Sequence, residues 1–377
     1  MTRILYNVNI PRFFVSHRLP LALAACDAGY DVHVTTSDTD TENVAKIIDS
    51  GLPYHPLPLA QHGINPFSEV KTLQAMLALY RQLQPDIVHH VSIKPVLYGG
   101  IAARLSGIRA VVGAMSGLGY VFVDDTKKAR LIRQIVRPLL KVALGHCNTA
   151  MIFQNEDDLA RFVAMGLIAP DKAVLIRGSG VDVTYFVPTP EANGLPVVLF
   201  AGRLMWQKGL GMFAEAARRL RHKARFVIVG YAEATSPDTV SQTQLEDWSQ
   251  EGILEWWGKR DDMPQVFAQS HIVCLPSTYG EGVPKVLIEA AACARPIVTT
   301  DTPGCRDIVH DGENGLLVAP HDRDALLSAL EQLIDNAQLR QQMGSNGRVI
   351  AERDFSLAYV VGETLALYER LLQPALP

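Results

Sequence analysis

The sequence predicts an α/β protein built from two open parallel sheets, and three observations carry that expectation. Apolar strand-like runs alternate with helix-length segments throughout, the pattern of parallel sheets covered by helices on both faces. At 377 residues the chain is too long for one ordinary core and suits two domains of roughly 150 to 200 residues each. The stretch RGSGVDVTYFVPTPEANGLP, residues 177–196, is rich in Gly, Pro and Thr and separates two alternating series as a linker would.

In the first series the strand candidates are 3–8, 31–36, 86–91, 109–114 and 149–153, with helices near 17–28, 67–83, 95–106, 127–145 and 156–165. In the second they are 196–201, 225–230, 253–256, 271–275, 296–300 and 315–318, with helices near 209–221, 262–269, 283–292 and 323–334. The expected division is therefore a domain over 1–180, a linker over 181–194 and a domain over 195–355. Ligands of such sheets lie outside the carboxyl ends of the strands, so two doubly wound sheets facing across a cleft place the site between them.

Composition narrows the function classes. Apolar residues make up 48% and charged residues 20%, as in a soluble globular protein. No run of about 18 uncharged apolar residues offers a membrane span. The start, MTRILYNVNIPRF, is a poor secretory signal, so a cytoplasmic location is expected. Cys26, Cys147, Cys274, Cys293 and Cys305 include no C-x-x-C pair and read as free thiols, without a zinc site. Net charge is −4, yet residues 1–180 hold 18 Lys and Arg against 14 Asp and Glu, which leaves 17 against 25 for the rest. The basic half calls for an anionic partner. Nucleic acid is disfavoured, because neither a dense basic run nor a nucleic-acid motif occurs.

The most informative stretch is GEGVPKVLIEA, residues 280–290, which sets Glu281 in a Gly-flanked loop and Glu289 inside the helix that follows. Pro284 suits a first helical turn. The N–H groups of such a turn form an anion site for a diphosphate, and Gly282 lets the backbone come close to it. At a rise of 1.5 Å per residue, Glu289 lies about 9 Å along the helix from Val283, within reach of a ribose while Glu281 stays beside a sugar. A carboxylate suits a diol because each oxygen takes a separate hydroxyl, and a mostly buried Glu289 without a ligand would be costly. The arrangement can hold a nucleotide sugar.

This block resembles the paired-glutamate motif of the retaining glycosyltransferases of family 4, which have the GT-B fold. AGRLMWQKG at 201–209, RFVIVGYAE at 225–233 and PIVTTDTPGCRDIVHDGENGLLV at 296–318 agree with that family in order. NIPRFFVSHRLPLALAACDAGYDVHVTT at 9–36 and SIKPVLYGGIAARLSGI at 92–108 resemble the branch that adds N-acetylhexosamines or related sugars to polyprenyl-diphosphate-linked acceptors in surface polysaccharide assembly. The resemblance implies that a final helix, about 356–377, returns to the first domain. It also implies that Arg203 and Lys208 bind the phosphates of a UDP-sugar, that Glu281 grips the transferred sugar and Glu289 the ribose, and that backbone near Lys259 and Arg260 meets the base. Gly202, Gly230, Gly282, Val283 and Pro284 complete the expected donor set.

A departing diphosphate gains charge as the glycosidic bond breaks, so cations must wait there. The aspartate pairs at 124–125, 157–158 and 261–262 precede or open helix candidates, where caps and helix dipoles favour them; no metal or other cofactor is expected. The family resemblance implies same-face attack, with the β-phosphate oxygen helping to take the acceptor proton. Many relatives carry a His after the strand at 109–114, where this chain has Ser116 and Gly117. Either no protein group acts as base or another one does, with His17, or His90 with Lys94, as the candidates, and Asn9, His90, Lys94, Ser116 and Gly117 form the expected acceptor set.

The segment 124–147 places Arg130, Arg133, Arg137 and Lys141 at helical spacing beside Leu131, Ile135 and Leu139, with Pro138 expected to kink it. Such a basic amphipathic helix suits an anionic membrane surface, on the inner face of the plasma membrane for a lipid-linked acceptor, or packs on the core with a solvated basic face. Two other classes share the architecture: a sugar-nucleotide epimerase, which needs a clearer acid/base set, and a non-catalytic two-domain binding protein, which leaves the cations and glutamates unexplained.

Overall fold

The computed structural model describes residues 1–59, 66–117, 122, 126–232 and 238–373. The chain forms two compact units, Met1–Ser179 joined by the C-terminal stretch from Leu357, and Gly180–Ser356.

The first unit holds a seven-stranded sheet made of β1 (Arg3–Val8), β2 (Asp31–Thr36), β3 (Tyr54–Pro56), β4 (Ile87–Val91), β5 (Ala110–Met115), β6 (Thr149–Phe153) and β7 (Ala173–Leu175), in the order β3-β2-β1-β4-β5-β6-β7. The second holds β8 (Val197–Ala201), β9 (Arg225–Val229), β10 (Glu255–Trp256), β11 (Ile272–Leu275), β12 (Ile297–Thr300) and β13 (Gly315–Val318), in the order β10-β9-β8-β11-β12-β13. Every pairing is parallel. Central strands such as VVLFA at 197–201 and TAMIF at 149–153 are buried along their whole length, which is why they read as unbroken apolar runs. Strand order reverses between β1 and β4 and between β8 and β11, and each reversal opens a crevice at the carboxyl ends.

The sequence reading missed short or polar elements. β3 and β7 have three residues each, too few to show a period. The expected helix at 17–28 is two helices, Pro11–His17 and Leu19–Asp27, broken at Arg18. Helix Ala337–Asp354 also escaped notice, since its interior contains Gly344 and Gly347; Gly344 lies so close to the Ala294 carbonyl that a Cβ would sit 2.1 Å from the oxygen. The segment expected as a linker, 181–194, packs onto the second unit: Val181 and Phe186 are buried, Glu191 pairs with Arg340 at 2.8 Å, and Thr189 accepts from Arg295 at 2.7 Å. Of the C-terminal helix, Leu357–Leu372 packs within the first unit; residues 374–377, like Asp124 and Asp125, lie outside the described residues.

Candidate active site

β8 delivers Gly202 and Arg203 to the switch point of the second sheet, and a 3-10 turn at Trp206–Lys208 carries Lys208 into the helix Leu210–Leu220. Opposite it, β11 leads into the loop that holds Glu281. The two loops are tied together by backbone: Thr278 N–H donates to the Gln207 carbonyl at 2.9 Å. Gly209, at φ +80°, lets them touch, since a Cβ there would lie 1.9 Å from the Pro276 carbonyl oxygen.

That zipper brings Lys208 and Glu281 together across 73 residues of sequence. The Lys208 ammonium donates to both Glu281 oxygens at 2.9 Å, with the side chains 13% and 18% exposed. An ammonium has three donors, and Glu281 occupies two, so a third remains for a phosphate oxygen. Ser277, fully buried, also has its hydroxyl 3.3 Å from Glu281 Oε1. Arg203, just before the turn that carries Lys208, is exposed.

The following helix runs Lys285–Ala292, with Pro284 at its N-cap, so it begins two residues later than expected and Val283 precedes it in the loop. Gly282 and Val283 are buried there. Glu289 is 12% exposed, 3.6 Å from Lys285. Burial pushes its carboxyl above the ordinary range, and Lys285 opposes that shift. Cys305 lies deep near Glu281 and Lys208, its thiol pushed up to about 11 by burial, which keeps it inert.

At the neighbouring strand ends, Gly202 N–H bonds to Val229 O at 3.0 Å and Gly230 N–H to Gly258 O at 2.9 Å. Trp256 Nε1 donates to the Gly230 carbonyl at 3.2 Å. In the expected base turn, the Arg260 and Asp262 side chains hold each other, at 2.7 and 2.5 Å, and exposed Lys259 lies 4.0 Å from Asp261. Asp262 thus stands at an N-cap position without a capping bond from its side chain. The helix Glu156–Ala164 is capped by Asn155, whose side chain accepts from Asp158 N–H at 2.8 Å, so Asp157 and Asp158 lie in its first turn and do not cap it. Among the described residues, no group of three or more His, Cys, Asp or Glu is placed to hold a metal ion.

Both halves of the chain match known families. Residues 195–336 match "Glycosyl transferases group 1" and residues 3–155 match "Glycosyl transferase 4-like". The chain is a family 4 glycosyltransferase. It is 27% identical to the N,N'-diacetylbacillosaminyl-diphospho-undecaprenol alpha-1,3-N-acetylgalactosaminyltransferase of Campylobacter jejuni, over 94% of this chain and 95% of that one. It is 28% identical to the UDP-Gal:alpha-D-GlcNAc-diphosphoundecaprenol alpha-1,3-galactosyltransferase of Escherichia coli, over 80% of each. Among solved structures, Anabaena HepE in complex with UDP and glucose superposes with a TM-score of 0.82 at 18% identity, covering 98% of this chain and 100% of that one. A glycosyltransferase from Rickettsia africae gives 0.80 at 18% identity, with 99% of each chain covered. The fold is GT-B.

The first unit of this glycosyltransferase rearranges the expected acceptor set. His90, at the end of β4, is 1% exposed, and its Nε2 lies 2.8 Å from the Tyr80 hydroxyl. Burial, with His146 nearby, lowers it to about 3. It is a neutral core histidine, and Gly99 seals it in, since a Cβ there would lie 2.4 Å from Nε2; the expectation that it meets an acceptor is therefore corrected. His17 ends the helix Pro11–His17 instead of following β1 directly; its ring stacks on Phe13 with centroids 4.2 Å apart and Nδ1 lies 2.6 Å from the Ser16 hydroxyl. Asn9 follows β1 with its Oδ1 buried and unpartnered. Ser116 and Gly117 follow β5, half-buried. Lys94, after β4, is held by Glu69 at 2.8 Å, a partner the sequence reading missed because 25 residues and a whole helix separate the two.

Proposed function

We propose that the protein is a retaining, metal-independent glycosyltransferase that moves an N-acetylhexosamine or related sugar from a UDP-sugar to a polyprenyl-diphosphate-linked saccharide in surface polysaccharide assembly. The observation that carries the reading is the Lys208 and Glu281 pair at the switch point of the second sheet, immediately before the helix that bears Glu289. The names of the Campylobacter and Escherichia relatives support the acceptor class, and the latter the uridine nucleotide.

In this reading Lys208 and Arg203 neutralise the diphosphate, Glu281 accepts from hydroxyls of the transferred sugar, and Glu289 accepts from the ribose. The bond from the anomeric carbon to the β-phosphate oxygen breaks with its electron pair on that oxygen. The acceptor hydroxyl bonds the same face of the anomeric carbon and passes its proton to the same β-phosphate. Cations and a helix N-terminus supply the positive charge, so no divalent ion is needed.

The outer face of the helix Lys127–Leu144 supports docking on an anionic bilayer. Leu131, Ile135, Leu139 and Val142 are exposed there, whereas Leu140, Ala143 and Leu144 pack into the core. The helix contains no acid, runs unbroken through Pro138, and carries exposed Arg130, Arg137 and Lys141 with half-buried Arg133. Among the described residues no helix is long and apolar enough to cross a membrane.

Incubation with UDP-sugars and a synthetic lipid-diphosphate saccharide should give transfer with retained anomeric configuration, unaffected by EDTA. Lys208→Met should lower kcat/KM about a hundredfold, the order lost with one preorganised charged group. No affinity for UDP in calorimetry, or interconversion of the donor sugar, sinks the reading.

A further inference from the structure

The carboxyl end of β4, at the switch point of the first sheet, has three unusual features. Ser92 takes φ +77°, a left-handed conformation rare for a non-glycine residue. Pro95–Gly99 forms a π-helical turn, an element often found at functional sites. Between them stands Lys94, 16% exposed, whose ammonium donates to Glu69 Oε1 at 2.8 Å, with Glu69 10% exposed. Tyr98, half-buried, lies near the same carboxylate, and burial together with that charge pushes its phenol upward.

We propose that Glu69, Lys94 and Tyr98 form a saccharide subsite for the acceptor, in which Glu69 both positions Lys94 and takes a sugar hydroxyl. The inference rests on the glycosyltransfer reading above and names the group that site would recognise. A nearly buried ion pair adds little net stability, because desolvation offsets the attraction, so its placement at a ligand-binding edge calls for a ligand. A neutral polyol needs hydrogen-bond partners more than net charge, and this pair supplies both a donor and acceptors. A carboxylate has about four acceptor positions; Lys94 occupies one, at Oε1, and leaves room for sugar hydroxyls, while the Tyr98 ring offers an apolar wall to the C–H face of a pyranose.

The test is acceptor kinetics at saturating UDP-sugar. Glu69→Gln and Lys94→Met should each raise the acceptor KM at least tenfold, with kcat reduced less, and UDP affinity by calorimetry should match the parent protein. Glu69→Asp should recover part of the loss, which a merely structural role would not require. Should Glu69→Gln fail to fold, Tyr98→Phe keeps the ring and should still raise the acceptor KM severalfold. An unchanged acceptor KM in folded variants of an active enzyme overturns the subsite alone. A parent protein that binds UDP but transfers to no saccharide overturns the functional reading as well.

Discussion

Glu289 shows how one residue can set binding and stability against each other. Its carboxyl titrates above the ordinary range because burial penalises the charge. The folded state therefore keeps the proton to higher pH than the unfolded chain, and the stability tied to that proton is lost as pH rises through the raised value. Ribose recognition has the opposite sign, since the diol needs an ionised acceptor. UDP affinity should rise with pH through a window just above the ordinary carboxylate range, measured by calorimetry. Glu289→Gln should flatten that profile, weaken UDP about tenfold or more, and raise the melting temperature at neutral pH. Equal UDP affinity in both proteins at every pH removes Glu289 from ribose binding. The spacing of Glu281 and Glu289 was legible in the sequence because a helix has a regular rise; the Lys208 partner of Glu281 was not, because only the sheet order brings them together.

At the level of elements, the helix Leu357–Leu372 packs Val360 and Leu367 into the first unit's core, accepts from Asn148 at the Leu371 carbonyl, and is pinned midway by buried Tyr368. The Tyr368 hydroxyl lies 2.9 Å from that of Tyr6 and 2.5 Å from His89 Nδ1, contacts that span 362 and 279 residues. Burial holds His89 well below its usual range, so it stays neutral and its ring can accept from the phenol. Tyr368→Phe should cost about 2 kcal/mol, because it removes hydrogen bonds and strands their buried partners. Urea unfolding measures this, and an unchanged midpoint would show that the hydroxyl contributes nothing. The return of this helix was implied by family likeness; its fastening was invisible, since a lone Tyr in an apolar helix looks like any other core residue. His90 misled for the same reason. A histidine at a strand end reads as a ligand group until Tyr80 and Gly99 are seen to enclose it.

For the whole molecule, charge is divided unequally, with the surplus of Lys and Arg in residues 1–180. Much of the exposed share lies on the helix Lys127–Leu144, beside an outward apolar stripe. The protein should sediment with anionic vesicles and not with neutral ones, and lose that preference when Arg130, Arg133, Arg137 and Lys141 are changed to Glu. Replacing Leu131, Ile135 and Leu139 by Gln should weaken it as well, because apolar burial and charge act together. Equal sedimentation with both lipids discards the membrane role. From spacing along the chain alone came the alternation of strands and helices, the nucleotide-sugar motif and the basic stripe, since each is a local period or a local run. Which carboxylate meets Lys208, which histidine is sealed away, and that Leu131 and Ile135 face outward were settled by folding. Those outcomes depend on strand order and packing between residues far apart in the chain, and no local period records them.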